Sequence, residues 1–209
     1  VRFLGNDITP FLRKIDKVGL REIQQRYADS PENYAKYAEV ERWLKRHRQN
    51  VRRLGLDDSP PKSILDLGCG GGFFLFLCQQ IGHEVHGLDV DDFPLLRELV
   101  DLLGVPRTVW RIEAMKPLPG FGRKFDWITA FSTRFNRDAQ DRHVWGEAEW
   151  NFFLDDLARH LAPNGKIFLE INAGKSRNFY PEEVRELFRR RGAKLEGNYV
   201  LFGDGSRRG

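Results

Sequence analysis

The sequence predicts an α/β fold: a doubly wound, mostly parallel sheet with helices on both faces, preceded by a helical amino-terminal segment. Two observations carry that prediction. From residue 62 onward, short apolar runs alternate with stretches of helical spacing, and such alternation builds parallel sheets. The first run, Ser63-Ile64-Leu65-Asp66-Leu67, passes directly into Gly68-Cys69-Gly70-Gly71-Gly72 and then into the apolar Phe73, Phe74, Leu75, Leu77 and Cys78. A buried strand, a tight glycine turn and a packed helix in that order place a ligand at the strand's carboxyl end, where backbone approaches closely.

The elements follow in order. Residues 1–30 show only weak helical spacing, through Ile15, Leu20, Ile23 and Tyr27. Ser30-Pro31-Glu32 is a strong helix start, with a capping serine, a first-turn proline and an acid near the positive pole. One helix is expected from there to about Leu54, with Tyr37, Val40, Leu44, Val51 and Leu54 on its apolar stripe and Gly55 ending it. Lys45, Arg46, His47, Arg48, Arg52 and Arg53 crowd its second half, where cations oppose the negative helix pole. Asp57-Asp58-Ser59-Pro60-Pro61 links it to the first strand. After the glycine loop, a helix is expected over 72–81, a strand over Glu84–Asp89, a helix from about Asp92 to Gly104, and strands over Thr108–Glu113 and Phe125–Phe131. Trp150, Phe153, Leu154, Leu157 and Leu161 share one face of a strongly amphipathic helix. Pro163-Asn164-Gly165 is a turn, and Lys166–Asn172 the fifth strand. Pro181 opens a helix that Gly192 closes, and residues 193–202 form one strand or a short hairpin about Gly197-Asn198.

A length of 209 residues suits one domain with a real core, organised as a helical segment over 1–61 and a core over 62–209. Hydrophobic residues at 41% and charged residues at 31% are the balance of a soluble protein. No apolar run reaches bilayer-spanning length, and the opening Val1-Arg2-Phe3-Leu4-Gly5-Asn6-Asp7 is too polar for a secretory leader. The two cysteines, Cys69 and Cys78, do not make a disulfide framework, so a cytoplasmic location is expected. A net charge of +4 and a pI near 9.1 are compatible with an anionic partner without requiring one.

The glycine loop narrows the ligand. A dinucleotide fingerprint needs glycine at 73, where Phe73 stands. Asp66, just ahead of the loop, would repel a pyrophosphate and attract an ammonium or sulfonium group. The run Ile64-Leu65-Asp66-Leu67-Gly68-Cys69-Gly70-Gly71-Gly72 resembles the first motif of the class I S-adenosylmethionine (SAM) dependent methyltransferases, and the resemblance extends over about residues 62–196. It implies a Rossmann-like fold, SAM as cofactor and S-adenosylhomocysteine as product. Asp89 ends the second strand, where that family keeps an acid for both ribose hydroxyls; a carboxylate can accept from a vicinal diol. Glu113 follows the third strand, where an acid often lies near the adenine amino group. The implied cofactor site is Asp66, Gly68, Cys69, Gly70, Gly72, Asp89, Val90, Glu113, Ala114, Ala130 and Phe131. Other readings stay open: Asp66 as a structural acceptor for loop amides, Asp89 as a helix cap, Glu113 as an exposed loop acid. Leu161-Ala162-Pro163-Asn164-Gly165-Lys166 resembles the family's turn before the fifth strand, with Asn164 in a glycine's place because asparagine tolerates a left-handed backbone. The family closes with an antiparallel seventh strand, for which only the Gly197-Asn198 region remains.

No metal is expected, because Asp89, Asp91 and Asp92 mix a strand end with a helix cap and no acid ends the fourth strand. The acceptor is expected to be a small molecule, methylated at oxygen. Tyr34 on an amino-terminal lid, with Arg134, Arg137, Trp145, Arg177 and Tyr180 on the loops after the fourth and fifth strands, is expected to bind it; the basic residues suit a carboxylate or phosphate. His143 is the candidate general base, with Asp141 to orient it. Two other classes remain: an RNA methyltransferase using the Lys45–Arg53 face, and a non-catalytic SAM-binding scaffold. Against the first, Ala130-Phe131-Ser132-Thr133 stands where enzymes acting on base amino groups carry an Asn-Pro-Pro-Tyr type motif, so nucleic acid is not the expected partner.

Overall fold

The computed structural model describes residues 7–137, 143–172 and 179–203. Seven strands form one sheet in the order β3-β2-β1-β4-β5-β7-β6. They are β1 (Ser63–Leu67), β2 (Glu84–Asp89), β3 (Arg107–Val109), β4 (Phe125–Thr133), β5 (Leu161–Ile171), β6 (Lys194–Glu196) and β7 (Tyr199–Phe202). The pairs β1–β4, β2–β3 and β4–β5 run parallel; β7 runs antiparallel to both β5 and β6. The mostly parallel sheet read from the alternation of runs, and the Rossmann-like fold that the resemblance implies, are the ones observed. The chain divides into two compact units, residues 1–62 with 69–109, and residues 63–68 with 110–209.

The first unit holds helices α1 (Thr9–Leu12), α2 (Lys17–Arg26), α3 (Glu32–Ala35), α4 (Val40–Arg53), α5 (Phe73–Gln80) and α6 (Pro94–Leu102). Asp16 caps α2 by accepting from the Val18 amide at 2.9 Å. The single helix expected over 31–54 is broken at Glu39, whose ψ of 64° is not helical. Side chains take the carbonyls released there: Trp43 Nε1 donates to Lys36 O at 2.8 Å and Gln24 Nε2 to Ala38 O at 3.0 Å. Leu44 and Val51 of α4 are fully buried, and its Trp43 and His47 rings pack on Phe73 of α5. From Phe73 to Cys78 every residue of α5 is buried, so this helix is apolar all round. β3 is shorter than expected. Its register with β2 ends at Asp89↔Val109, which leaves Trp110 to Glu113 beyond the partner strand.

In the second unit, α7 (Glu147–His160) and α8 (Glu182–Arg190) accompany β1 and β4 to β7. Trp150, Phe153, Leu154 and Leu157 line the buried face of α7, and Phe188 of α8 packs edge-on against Trp150 and Phe202. Leu161 does not complete the helical stripe; it turns extended (ψ 141°) and pairs with Phe125. Pro163, two residues on, cannot continue a helix, and it disfavours helical backbone at Ala162. Asn164 takes the left-handed φ of 64° that its residue type allows. The carboxyl-terminal stretch is a hairpin rather than one strand. It supplies the antiparallel β7, tied at its turn by Ile171 N–H donating to Asn198 O at 2.9 Å.

Candidate active site

The glycine loop of the first unit is a backbone device locked by one carboxylate. Gly72 N–H donates to Cys69 O at 2.9 Å, closing the turn, and Cys69 N–H donates to Leu88 O at 3.2 Å. Asp89, at the end of β2, accepts from the Gly70 amide at 2.6 Å through Oδ2 and from the Val90 amide at 2.7 Å through Oδ1. Burial pushes its carboxyl up from the ordinary aspartate value, and those two amides and Arg107 oppose the rise. Gly70 holds φ +55°, and a Cβ there would meet nothing within 4 Å, so the loop presents bare backbone to open space. Gly72 differs: a Cβ would lie 2.9 Å from Val100 and 3.3 Å from Val105, so glycine here lets the loop pack on its neighbours.

Near Asp89 stands one residue that sequence reasoning missed. Arg107, at the start of β3, donates to Val90 O at 3.3 Å and to Asp91 at 2.8 Å, fixing the turn after β2. Its position 17 residues from Val90 carries no spacing signal; only the β2–β3 pairing brings it there. Tyr34 accepts from the Leu95 amide at 2.9 Å through its hydroxyl and sits 5.9 Å from the Phe93 ring, which is half exposed. Tyr27 donates to Glu98 at 2.8 Å, and Arg26 pairs with the same carboxylate.

In the second unit, Asp66 is buried and accepts from the Thr129 hydroxyl at 2.7 Å. Ala130 is buried, Phe131 half-buried, and Ser132 takes φ +53° at the carboxyl end of β4. Glu113 is exposed and pairs with Lys116 at 2.6 Å, next to half-buried Ala114. The described residues of this unit that were expected to bind the acceptor differ in exposure. Arg134 is exposed, whereas Arg137 is buried and donates to Phe179 O at 3.1 Å. Trp145 is a core ring and not a pocket wall: it is 3% exposed, with Phe135, Trp150 and Phe153 within 5.5 Å. Tyr180 is likewise buried against Phe188, and burial raises its hydroxyl pKa. His143 has a 64% exposed side chain, 3.6 Å from Glu149. Arg177 and Asp141 lie outside the described residues. Among the described residues, no three His, Cys, Asp or Glu side chains cluster as metal ligands, and no helix is long and apolar enough to cross a membrane.

A sheet of this order, with a glycine loop after its central strand and an acid closing the next, defines the class I methyltransferase architecture. Residues 34–196, well over half of the chain, match the family model described as a methyltransferase domain; the chain belongs to that family of SAM-dependent enzymes, and SAM is its cofactor. No curated protein sequence matches the chain. Among solved structures it is similar to the glycopeptide N-methyltransferase MtfA, at 16% identity over 76% of this chain and 88% of that one, with a TM-score of 0.50. The ribosomal protein L11 methylase of Lactobacillus delbrueckii subsp. bulgaricus is 15% identical over 77% of this chain and 76% of its own, with a TM-score of 0.48. CalS10, an amino pentose methyltransferase of Micromonospora echinaspora, is 24% identical over 61% of this chain, with a TM-score of 0.46; the match spans 50% of its length. At 16% identity the likeness to MtfA is one of fold.

Proposed function

We propose that this chain transfers a methyl group from SAM to a small-molecule acceptor. The observation that carries the reading is the Gly70 amide held by Asp89 beneath open space. The loop fits the cofactor: a Cβ at Gly70 would occupy the space it leaves, and each Asp89 oxygen keeps acceptor capacity beyond its one amide for a ribose hydroxyl. When bound, SAM supplies a methyl group activated on a positively charged sulfur. Val90, Glu113, Ala114, Ala130 and Phe131 are the remaining residues assigned to hold it, with Gly68, Cys69 and Gly72 shaping the loop and Asp66 presenting negative charge ahead of it. The chain's own contribution to rate is alignment, keeping the two reactants at near-attack distance.

Two features favour a small molecule over RNA. The basic face of α4 is partly neutralised, by Glu39 on Arg42 at 3.4 Å, Glu41 on Lys45 at 2.6 Å and Asp57 near Arg52 at 4.0 Å. The β4 end also carries none of the motif that grips base amino groups. A hydroxyl acceptor needs a base, for which His143, exposed and 3.6 Å from Glu149, stays the candidate, whereas a carboxylate acceptor needs none.

The test is calorimetric titration of SAM into the wild type and Asp89→Ala. Loss of charged hydrogen bonds predicts a 5- to 150-fold weaker affinity, about 1–3 kcal/mol, in a folded variant. Equal affinities would remove Asp89 from the cofactor site, and release of S-adenosylhomocysteine only with RNA would overturn the small-molecule reading.

A further inference from the structure

We propose that Asp156 of α7 is a positioning residue for the cofactor: by holding the loop between β3 and β4 in place, it sets the selectivity for an adenine base. The inference rests on the assignment of Glu113 and Ala114 of that loop to the SAM site, and adds what keeps them there. Glu113 and Ala114 begin a turn that Lys116 N–H closes by donating to Glu113 O at 3.3 Å. Met115, inside the turn, takes φ +60°. Residues other than glycine rarely adopt that conformation, and it persists only where the surroundings hold it. Met115 is 55% exposed, so burial of its own side chain contributes little to that hold.

The carboxyl-terminal half of α7 supplies it. Leu118, two residues beyond the turn, is buried, and its amide donates to Asp156 Oδ2 at 2.7 Å. Asp156 lies among the buried residues of α7 with Phe153 and Leu157, and is 4% exposed. An acid is costly to bury on such a face, and α7 needs none there for its own packing; what the acid matches is the loop's amide, through a charge-assisted hydrogen bond. Two more contacts tie the same loop to the end of α7: Phe121 meets the His160 ring edge-on at 5.2 Å, and Lys124 Nζ donates to Arg159 O. The loop is thus fixed from Leu118 to Lys124, while Glu113 stays exposed, with one carboxyl oxygen on Lys116 at 2.6 Å. A carboxylate has about four acceptor sites, so Glu113 keeps capacity for an amino donor, and solvent reaches it directly. Adenine presents such a donor on its six-position. Hypoxanthine carries an oxygen there, which a carboxylate repels. Glu113 is thus assigned to read the base, and Asp156 to position the loop that carries it.

The experiment titrates S-adenosylhomocysteine, and its counterpart with hypoxanthine in place of adenine, into the full chain by calorimetry. The wild type should bind the adenine form about tenfold tighter or more, and Glu113→Gln should narrow that preference. Asp156→Leu should weaken the adenine form about fivefold or more and leave the hypoxanthine form within about twofold, because only the first uses Glu113. Asp156→Asn, which keeps an oxygen for the Leu118 amide, should fall between wild type and Asp156→Leu. An equal loss for both ligands is what a merely structural role predicts, and it would overturn the proposal. So would an unchanged preference in Asp156→Leu, or a wild type that binds both forms alike. If Asp156→Leu does not fold, Phe121→Ala, which loosens the loop at a second contact with α7, decides by the same preference. Failure of the wild type to bind S-adenosylhomocysteine at all would instead strike the assignment on which this inference rests.

Discussion

Two residues of the loop show how differently glycines can be required. Gly70 and Gly72 share a left-handed backbone, but only Gly72 is pressed against Val100 and Val105. Gly72→Ala should therefore lower stability by the backbone strain of about 1 kcal/mol plus a steric term, whereas Gly70→Ala should cost the strain alone and act mainly on SAM affinity. Urea midpoints compared with calorimetric titrations of both variants separate the two. Asp89 adds a pH dependence. Its carboxyl is raised by burial, so on acidification it protonates earlier than an ordinary aspartate of pKa 3.8. A protonated carboxyl loses acceptor capacity, so SAM affinity should begin to fall above that value and keep falling through it. Asp89→Asn should abolish this dependence, and an unchanged pH profile would reassign it to another group.

Among the elements, the amino-terminal helices are joined to α6 by polar contacts. Tyr34 accepts the Leu95 amide in the first turn of α6, a group with no partner inside its own helix. Tyr34→Phe leaves that donor without its acceptor at a cost of about 1 kcal/mol, or roughly fivefold in the local opening equilibrium. Hydrogen exchange at Leu95 and through residues 27–38 should quicken by that factor, and rates equal to wild type would show that the contact holds nothing. The lid reading adds that SAM slows exchange across residues 27–45; no difference with and without SAM would end it.

At the scale of the whole molecule, acid sensitivity has an identifiable source. His47 is packed against Trp43, Phe73 and Phe74, and burial with Arg46 nearby holds its pKa down to about 3. Burial also lowers the pKa of His83 and His160. His83 is seated as a neutral ring, Nδ1 accepting from Lys62 N–H at 3.0 Å while Nε2 donates to Leu56 O at 2.9 Å. The unfolded chain protonates these imidazoles near 6.5 and the folded chain only at lower pH, so the unfolded state binds more protons below 6.5. Stability is then fully present above about pH 6.5 and is lost as pH falls from there toward 3, by about 1 kcal/mol per pH unit for His47. Unfolding midpoints at pH 7.5 and 5.5 should show the loss, and His47→Gln should make it shallower; parallel curves would place the acid sensitivity elsewhere.

Sequence alone was enough for the alternation of strands and helices, the loop at Gly68–Gly72, the hairpin as one of two options, and Asp89 as the acid to watch. These are local properties: apolar periodicity, turn chemistry and capping act over a few residues and leave their mark in order along the chain. The break at Glu39, the end of β3 at Val109 and the departure of Leu161 from its helix were decided by partners. Trp43 and Gln24 take carbonyls, β2 ends its register at Val109, and β4 draws Leu161 into the sheet. The acceptor residues were least legible, because a basic or aromatic side chain in a loop reads the same whether it faces solvent or core. Arg137, Trp145 and Tyr180 turned inward, while Glu170 met Ser132 from 38 residues away. That meeting depends on strand register, which only the assembled sheet determines.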